Sequence, residues 1–150
     1  MLKSTRIFAI LAVLAACIGC SEPTPVNSEW RDIPTDGWRY GNTLTFNADS
    51  DSFSVDTLVL TIRHTSAYPY ANLWLEMKYG TGDTLKADTL NVKLADDFGH
   101  WLGTGSGLSF QKSDTILPTA PIRQNKPILV RHIMRVDTLP QIQQIGLEYL

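Results

Sequence analysis

Cysteine is almost missing from this chain. Of 150 residues only Cys17 and Cys20 carry thiols, and both fall in the first twenty positions. Whatever folds after them has no disulfide and no cysteine-based metal centre. Long hydrophobic runs are also missing. The longest, Ile7 to Ala16, is ten residues, whereas a bilayer-spanning helix needs about twenty. Charge is sparse and nearly balanced, with 13 basic and 15 acidic residues and a formal charge of −2. With no basic patch, nucleic acid is excluded as the main partner, and so is docking on anionic lipid by charge alone. Helical periodicity is nearly absent. What remains is a globular balance of 43% hydrophobic and 19% charged residues with a mean hydropathy of −0.07. That balance rules out a mainly disordered chain. The length suits one domain, able to bury roughly two-thirds of its unfolded surface.

The first residues set the compartment. Lys3 and Arg6 precede the short apolar run, and small residues follow it. A positive start, a short apolar stretch and small residues at its end make a secretory signal. Leu14-Ala15-Ala16-Cys17 has the form of a bacterial lipobox, in which the thiol takes a diacylglycerol and becomes the mature N-terminus. Two acyl chains satisfy the requirement of more than one chain for stable anchoring. The expected division is a lipoprotein signal peptide over 1–19, cut before Cys17 or Cys20, a flexible tether over 20–29 and a domain over 30–150. Cys17 has the better preceding residues. Choosing Cys20 leaves no free thiol in an oxidising compartment. The tether reading rests on SEPTPVNS (21–28), two prolines among small polar residues that cannot build a core.

From Thr43 onward the pattern alternates with period two. Leu44 and Phe46 form one face, then Leu58, Leu60 and Ile62, then Leu73, Leu75, Met77 and Tyr79. Leu90, Val92 and Leu94 follow, then Ile128, Val130 and Met134 around His132, and finally Ile145, Leu147 and Tyr149. Such alternation, rich in Thr, Val, Ile and aromatics, predicts half-buried strands. Gly80 to Asp83 reads as a hairpin loop and Asp96 to Gly99 as a turn. Gly103, Gly105 and Gly107 read as a glycine-rich connecting loop. Pro118, Pro121 and Pro127 mark an irregular or edge segment. One short helical turn is expected over 137–144, where Leu139 and Ile142 lie three apart. About eight strands at this spacing predict an all-β fold, a single antiparallel β-sandwich of jelly-roll type.

Candidate chemistry is thin. His64, His100 and His132 have no metal-ligand spacing and read as ordinary surface or strand-edge residues. Asp49-Ser50-Asp51-Ser52 has alternate oxygen ligands but lacks the glycine and distal glutamate of a calcium loop, and reads as a solvated turn. The glycine loop is not followed by a helix, so it makes no phosphate cradle. No serine sits in a nucleophile elbow. Asp96, Asp97, His100 and Trp101 lie close in sequence, enough for a periplasmic enzyme if they converge in a cleft. Trp74 and Trp101 form a sugar platform if both are exposed on one face. The simpler reading of all of these is a capped turn and core packing.

The chain resembles the gliding-motility-associated lipoproteins called GldH, found in Bacteroidetes. The likeness is carried, in order, by the lipoprotein signal, Asp32-Ile33-Pro34, Gly37-Trp38, Ile62-Arg63-His64-Thr65, Tyr68-Pro69-Tyr70, Asn72-Leu73, Asp83-Thr84, Leu94 to Gly99, Trp101-Leu102-Gly103, Gly105, Met134-Arg135, Leu139 and Ile145-Gly146-Leu147. The doubled cysteine departs from the family pattern. The resemblance implies an envelope lipoprotein, periplasm-facing or on the cell surface, linked to gliding motility and the type IX secretion machinery, with no known enzymatic activity and no catalytic residues to carry over. Its expected partners are membrane lipid, through the acylated cysteine, and other envelope proteins. No cofactor, metal, nucleic acid or small-molecule substrate is expected. Tyr68, Tyr70, Trp101 and Arg135 are the candidate partner-binding residues, since aromatics and arginine are enriched at interfaces.

Overall fold

The computed structural model describes residues 28–47, 54–81, 84–123 and 126–150. The cysteines, the proline-rich segment before Ser28, and Asp49 to Ser52 lie outside these. Thirteen strands are formed: β1 (Ser28–Asp32), β2 (Trp38–Arg39), β3 (Leu44–Phe46), β4 (Ser54–Val55), β5 (Leu58–Thr65), β6 (Asn72–Gly80), β7 (Leu85–Lys93), β8 (Thr104–Ser106), β9 (Ser109–Ile116), β10 (Ile122–Arg123), β11 (Ile128–His132), β12 (Thr138–Leu139) and β13 (Ile142–Tyr149). β1 begins at Ser28, two residues ahead of the expected domain start. Glu29 is tied in by Arg31, 2.5 Å away, and by the backbone N–H of Asn47 at 2.9 Å.

The pairing is nested from the ends inward. β1 pairs with β13, β2 with β12, β3 with β11, β4 with β10, β5 with β9, and β6 with β7, all antiparallel. The chain is thus one long hairpin. Two further pairings, β13 with β5 and β11 with β6, roll that hairpin up. The results are a sheet of order β1-β13-β5-β9-β8 and a sheet of order β3-β11-β6-β7. This is jelly-roll connectivity, so the sandwich expected from the alternation is present.

Alternation places the core. Leu58, Leu60 and Ile62 of β5, Ile145 and Leu147 of β13, Leu73, Leu75, Met77 and Tyr79 of β6, and Ile128 and Val130 of β11 belong to one buried cluster between the two sheets. The open side is guarded differently. The edge strand β7, and the part of β9 beyond its pairing with β8, turn Asp88 and the Lys112–Asp114 pair toward the interior parity. Inward charges of this kind discourage strand addition at an edge.

The helical turn expected over 137–144 is not formed. Thr138–Leu139 pairs with Trp38–Arg39, and β13 begins at Ile142. The two apolar residues are used as strand residues on the closing layer, and Pro140 separates them. The glycine loop is also partly strand, because Thr104–Ser106 pairs with β9. Gly103 has φ +89°, and a Cβ there would stand 2.2 Å from the Gln111 carbonyl oxygen. Only glycine permits this approach.

The registers define two ends. Ser28 of β1 lies opposite Glu148 of β13, so the segment preceding Ser28 joins the domain at what we call the near end. The far end holds the connections 33–43, 66–71, 94–103, 107–108 and 133–141. β5 has eight residues, which separates the ends by roughly 25 Å. The β2–β12 pair closes the far end with buried Trp38 and Leu139, and the β4–β10 pair closes the near end with buried Val55 and Ile122.

Candidate functional site

Most of the sequence runs singled out above converge on the far end. At its centre is His64, which continues the inward parity of Leu58, Leu60 and Ile62 and is fully buried. Trp101 meets its ring edge-on at 4.6 Å, Tyr68 lies tilted to it at 5.6 Å and Phe110 stacks parallel at 6.0 Å. Tyr70 stands against Tyr68 at 5.6 Å. Nδ1 of His64 lies 2.9 Å from the Thr65 carbonyl oxygen. Burial pushes its pKa down, and the Thr65 carbonyl only partly offsets this. The ring is therefore neutral, walled in by aromatics and unsuited to proton exchange with a substrate.

His132 plays the same part in the other sheet. It follows Ile128 and Val130 on the inward parity, is fully buried, and meets Trp38 at 5.3 Å and Tyr40 at 5.6 Å. Neither ring nitrogen has a hydrogen bond of normal geometry. Burial lowers its pKa, with the nearby Trp38 and Arg39 backbone acting in the opposite sense. The surface or strand-edge reading thus fails for His64 and His132. The signal was available: each histidine has the same parity as the core residues of its strand. Only His100 is exposed.

Tyr68, Tyr70 and Trp101 are brought together, but Tyr68 offers a partner little surface. It is 3% exposed, and its hydroxyl donates to the Asn72 carbonyl at 3.0 Å. Burial, then the neighbouring Tyr70, push its pKa well upward. Pro69 between the tyrosines fixes the turn from β5 to β6. Arg135 does not join this cluster. It is exposed in the β11–β12 connection, beside Met134, whose sulfur accepts the Trp74 N–H.

The Asp96–Trp101 segment is a turn locked by its own carboxylate. Asp96 Oδ1 accepts from the backbone of Phe98 at 2.9 Å and of His100 at 2.8 Å, and Oδ2 lies 3.0 Å from His100 Nδ1. The His100 backbone bond leads the effects that hold the Asp96 carboxyl below its ordinary range. Asp97 points elsewhere, to Lys93 Nζ at 2.7 Å. The two carboxylates diverge, so they cannot act as a general acid–base pair. Trp74 is on the outer side of β6, whereas Trp101 packs on interior His64. The two indoles do not share a face. Among the described residues no group of three metal-ligating side chains is present.

One concave feature opens at the same end. A groove of about 650 Å³ runs between β1, β5, β9 and the start of β13. Sequence reasoning missed it, because it depends on a bulge. The β13–β5 register shifts between Ile142 and Gln144.

Fold and site together describe a small jelly-roll module with a ring-packed far end and no assembled catalytic constellation among its described residues. The family model described as GldH lipoprotein matches residues 25–148. The chain belongs to that family. A similar protein from Christiangramia forsetii, a gliding motility lipoprotein GldH homolog, is 36% identical over 73 residues, covering 47% of this chain and 44% of that relative. The match therefore spans less than half the length of the relative. The family is one of lipoproteins, and the relative is named for gliding motility.

Proposed function

We propose that this protein is a non-enzymatic accessory component of the gliding motility and type IX secretion apparatus. It is anchored by lipid on Cys17 or Cys20 and works through protein contacts made at the far end of the jelly roll. The supporting observation is the placement of the two ends. The segment before Ser28 joins one end, while the Tyr68-Pro69-Tyr70 turn, the Asp96–Gly103 turn and exposed Phe98 and Leu108 stand at the other. A lipid-held module of this shape presents its far-end loops outward. Surface apolar residues such as Phe98, 87% exposed, and Leu108, 79% exposed, suit a protein interface.

The test has two parts. Replacing the acylated cysteine, by Cys17→Ser or Cys20→Ser, should release the protein from the membrane fraction. A photo-crosslinking residue at Phe98 or Leu108 should capture specific envelope proteins in intact cells, while one at near-end Leu117 should not. Membrane retention in both single variants and the double variant defeats the anchor. Equal capture from both ends defeats the orientation.

A further inference from the structure

The groove is built where β13 breaks step. Strict alternation after buried Ile142 would send Gln143 outward and Gln144 back into the core. The bulge leaves Gln143 unpaired in the register, and both glutamines line the groove instead. Gln141, just before the strand, holds φ +67°, a left-handed backbone that a side-chain-bearing residue rarely adopts. Bulges and such backbone outliers mark positions where a fold re-aims side chains.

The amides are fixed by their oxygens. Gln141 Oε1 accepts from Thr65 Oγ1 at 2.5 Å, and Gln143 Oε1 accepts from Ser109 Oγ at 2.7 Å. Gln144 Oε1 accepts from Arg63, and its Nε2 donates to Asp32 Oδ1 at 2.6 Å. The other arm of Arg63 reaches Gln111 Oε1 at 2.9 Å, and its guanidinium lies over the Trp30 ring at 5.1 Å. The N–H groups of Gln141 and Gln143 have no protein partner among the described residues. Oriented donors thus line a groove with buried Ile33 and Ile142 and with Pro34 and Pro140.

We propose that this groove binds a neutral saccharide. Its volume falls in the range of ligand pockets, and its lining is mostly polar, with amides, hydroxyls and two carboxylates beside a few apolar residues. Free anions are disfavoured because two carboxylates, Asp32 and Asp36, line the groove against the single cation Arg63. An extended peptide is disfavoured because peptides gain affinity by pairing with an open strand edge, and β13, β5 and β9 beneath the groove have paired neighbours on both sides. What the groove offers is side-chain amide, hydroxyl and carboxylate, the groups that match sugar hydroxyls, each of which both donates and accepts. The site is separate from the aromatic cluster around His64, and the inference does not depend on the anchoring or protein-contact reading.

The full-length protein, in a detergent without a sugar headgroup, should be titrated with neutral tetrasaccharides. The probes are β-1,4-linked N-acetylglucosamine, β-1,4-linked glucose and α-1,4-linked glucose. At least one should bind, with NMR shift changes confined to residues 32–36, 63–65, 109 and 140–144. Gln143→Ala removes one amide from the groove without touching the core and should weaken binding about tenfold. Asp97→Asn, on the separate turn, should leave binding unchanged, and circular dichroism should match for all variants. Silence with every sugar, binding that survives Gln143→Ala, shifts that map to Trp74, or preferential binding of an extended peptide in the groove would each overturn the assignment. None of these outcomes bears on cysteine acylation or on crosslinking from Phe98, which are read out separately.

Discussion

The far end of the sandwich is packed with rings, while the near end carries a carboxylate staple. At the far end Trp38 and Tyr40 pack on His132 of β11, and Tyr68, Trp101 and Phe110 pack on His64 of β5. At the near end Asp88 gathers the β9–β10 connection. It accepts from Tyr79 Oη at 2.6 Å, from Thr119 Oγ1 at 2.6 Å and from the Thr119 backbone at 2.9 Å. The two closures have different physics. Ring packing is apolar, extended and indifferent to salt. The carboxylate staple is local and has a charge that can be titrated away. The end that offers the groove is the one with the broader apolar support.

The largest effect should come from the far-end closure. Trp38 is fully buried, and its indole N–H donates to the Asn42 carbonyl at 2.9 Å. Trp38→Ala removes that bond and leaves a cavity beside His132. The expected loss is about 3–5 kcal/mol of stability, read from urea unfolding. A loss under 1 kcal/mol would mean that the rings decorate this end rather than close it.

Asp88→Ala tests the near end and should cost less, about 1–3 kcal/mol, because it removes the carboxylate that accepts from the Tyr79 hydroxyl and from Thr119. Burial alone would raise the Asp88 carboxyl, but the hydrogen bonds from Thr119 and Tyr79 prevail and hold its pKa below the ordinary value. A depressed carboxyl contributes stability above its unfolded pKa of about 3.9, and that contribution is lost as the pH falls through the lower folded value. The difference between wild type and Asp88→Ala should therefore be full at neutral pH and shrink in strong acid. A difference independent of pH would assign the staple to packing alone.

This contrast explains what could be read from the sequence. The strands, the sandwich and the β6–β7 hairpin follow from period-two alternation and turn chemistry, which act locally. The anchor motif is likewise local, a few residues beside an apolar run. His64 and His132 were misread because residue type was weighed above parity, although Leu58-Leu60-Ile62-His64 forms an unbroken inward series. The 137–144 segment was misread because two apolar residues three apart fit a helix, and nothing local announces that Trp38–Arg39 arrives to pair with it. The groove was invisible for a related reason. Gln143 and Gln144 share a face only because β13 slips against β5, a fact of tertiary pairing across most of the chain. The nested hairpin, too, emerges only when all the pairings are seen together.

The histidines give the finest test of the two-ends comparison, because both sit at the far end and both titrate where the near-end carboxylate does not. Burial holds each folded pKa below the unfolded value of about 6.5. Between the depressed folded values and 6.5 the unfolded chain binds more protons than the folded one. Stability then rises with pH through that window, is complete above it, and drains as the pH falls below 6.5. The melting temperature should accordingly drop from pH 7.5 to pH 5.5 by less than Asp88→Ala lowers it at neutral pH. Gln is close to His in size and does not titrate in this range, so the double variant His64→Gln, His132→Gln should melt lower at pH 7.5 yet lose most of the slope. Asp88→Ala should keep the slope unchanged, since its carboxylate is already ionised throughout. A slope that persists without the two buried rings would place the acid-sensitive step elsewhere, and the far end would then have no claim to a closure distinct in kind from the near one.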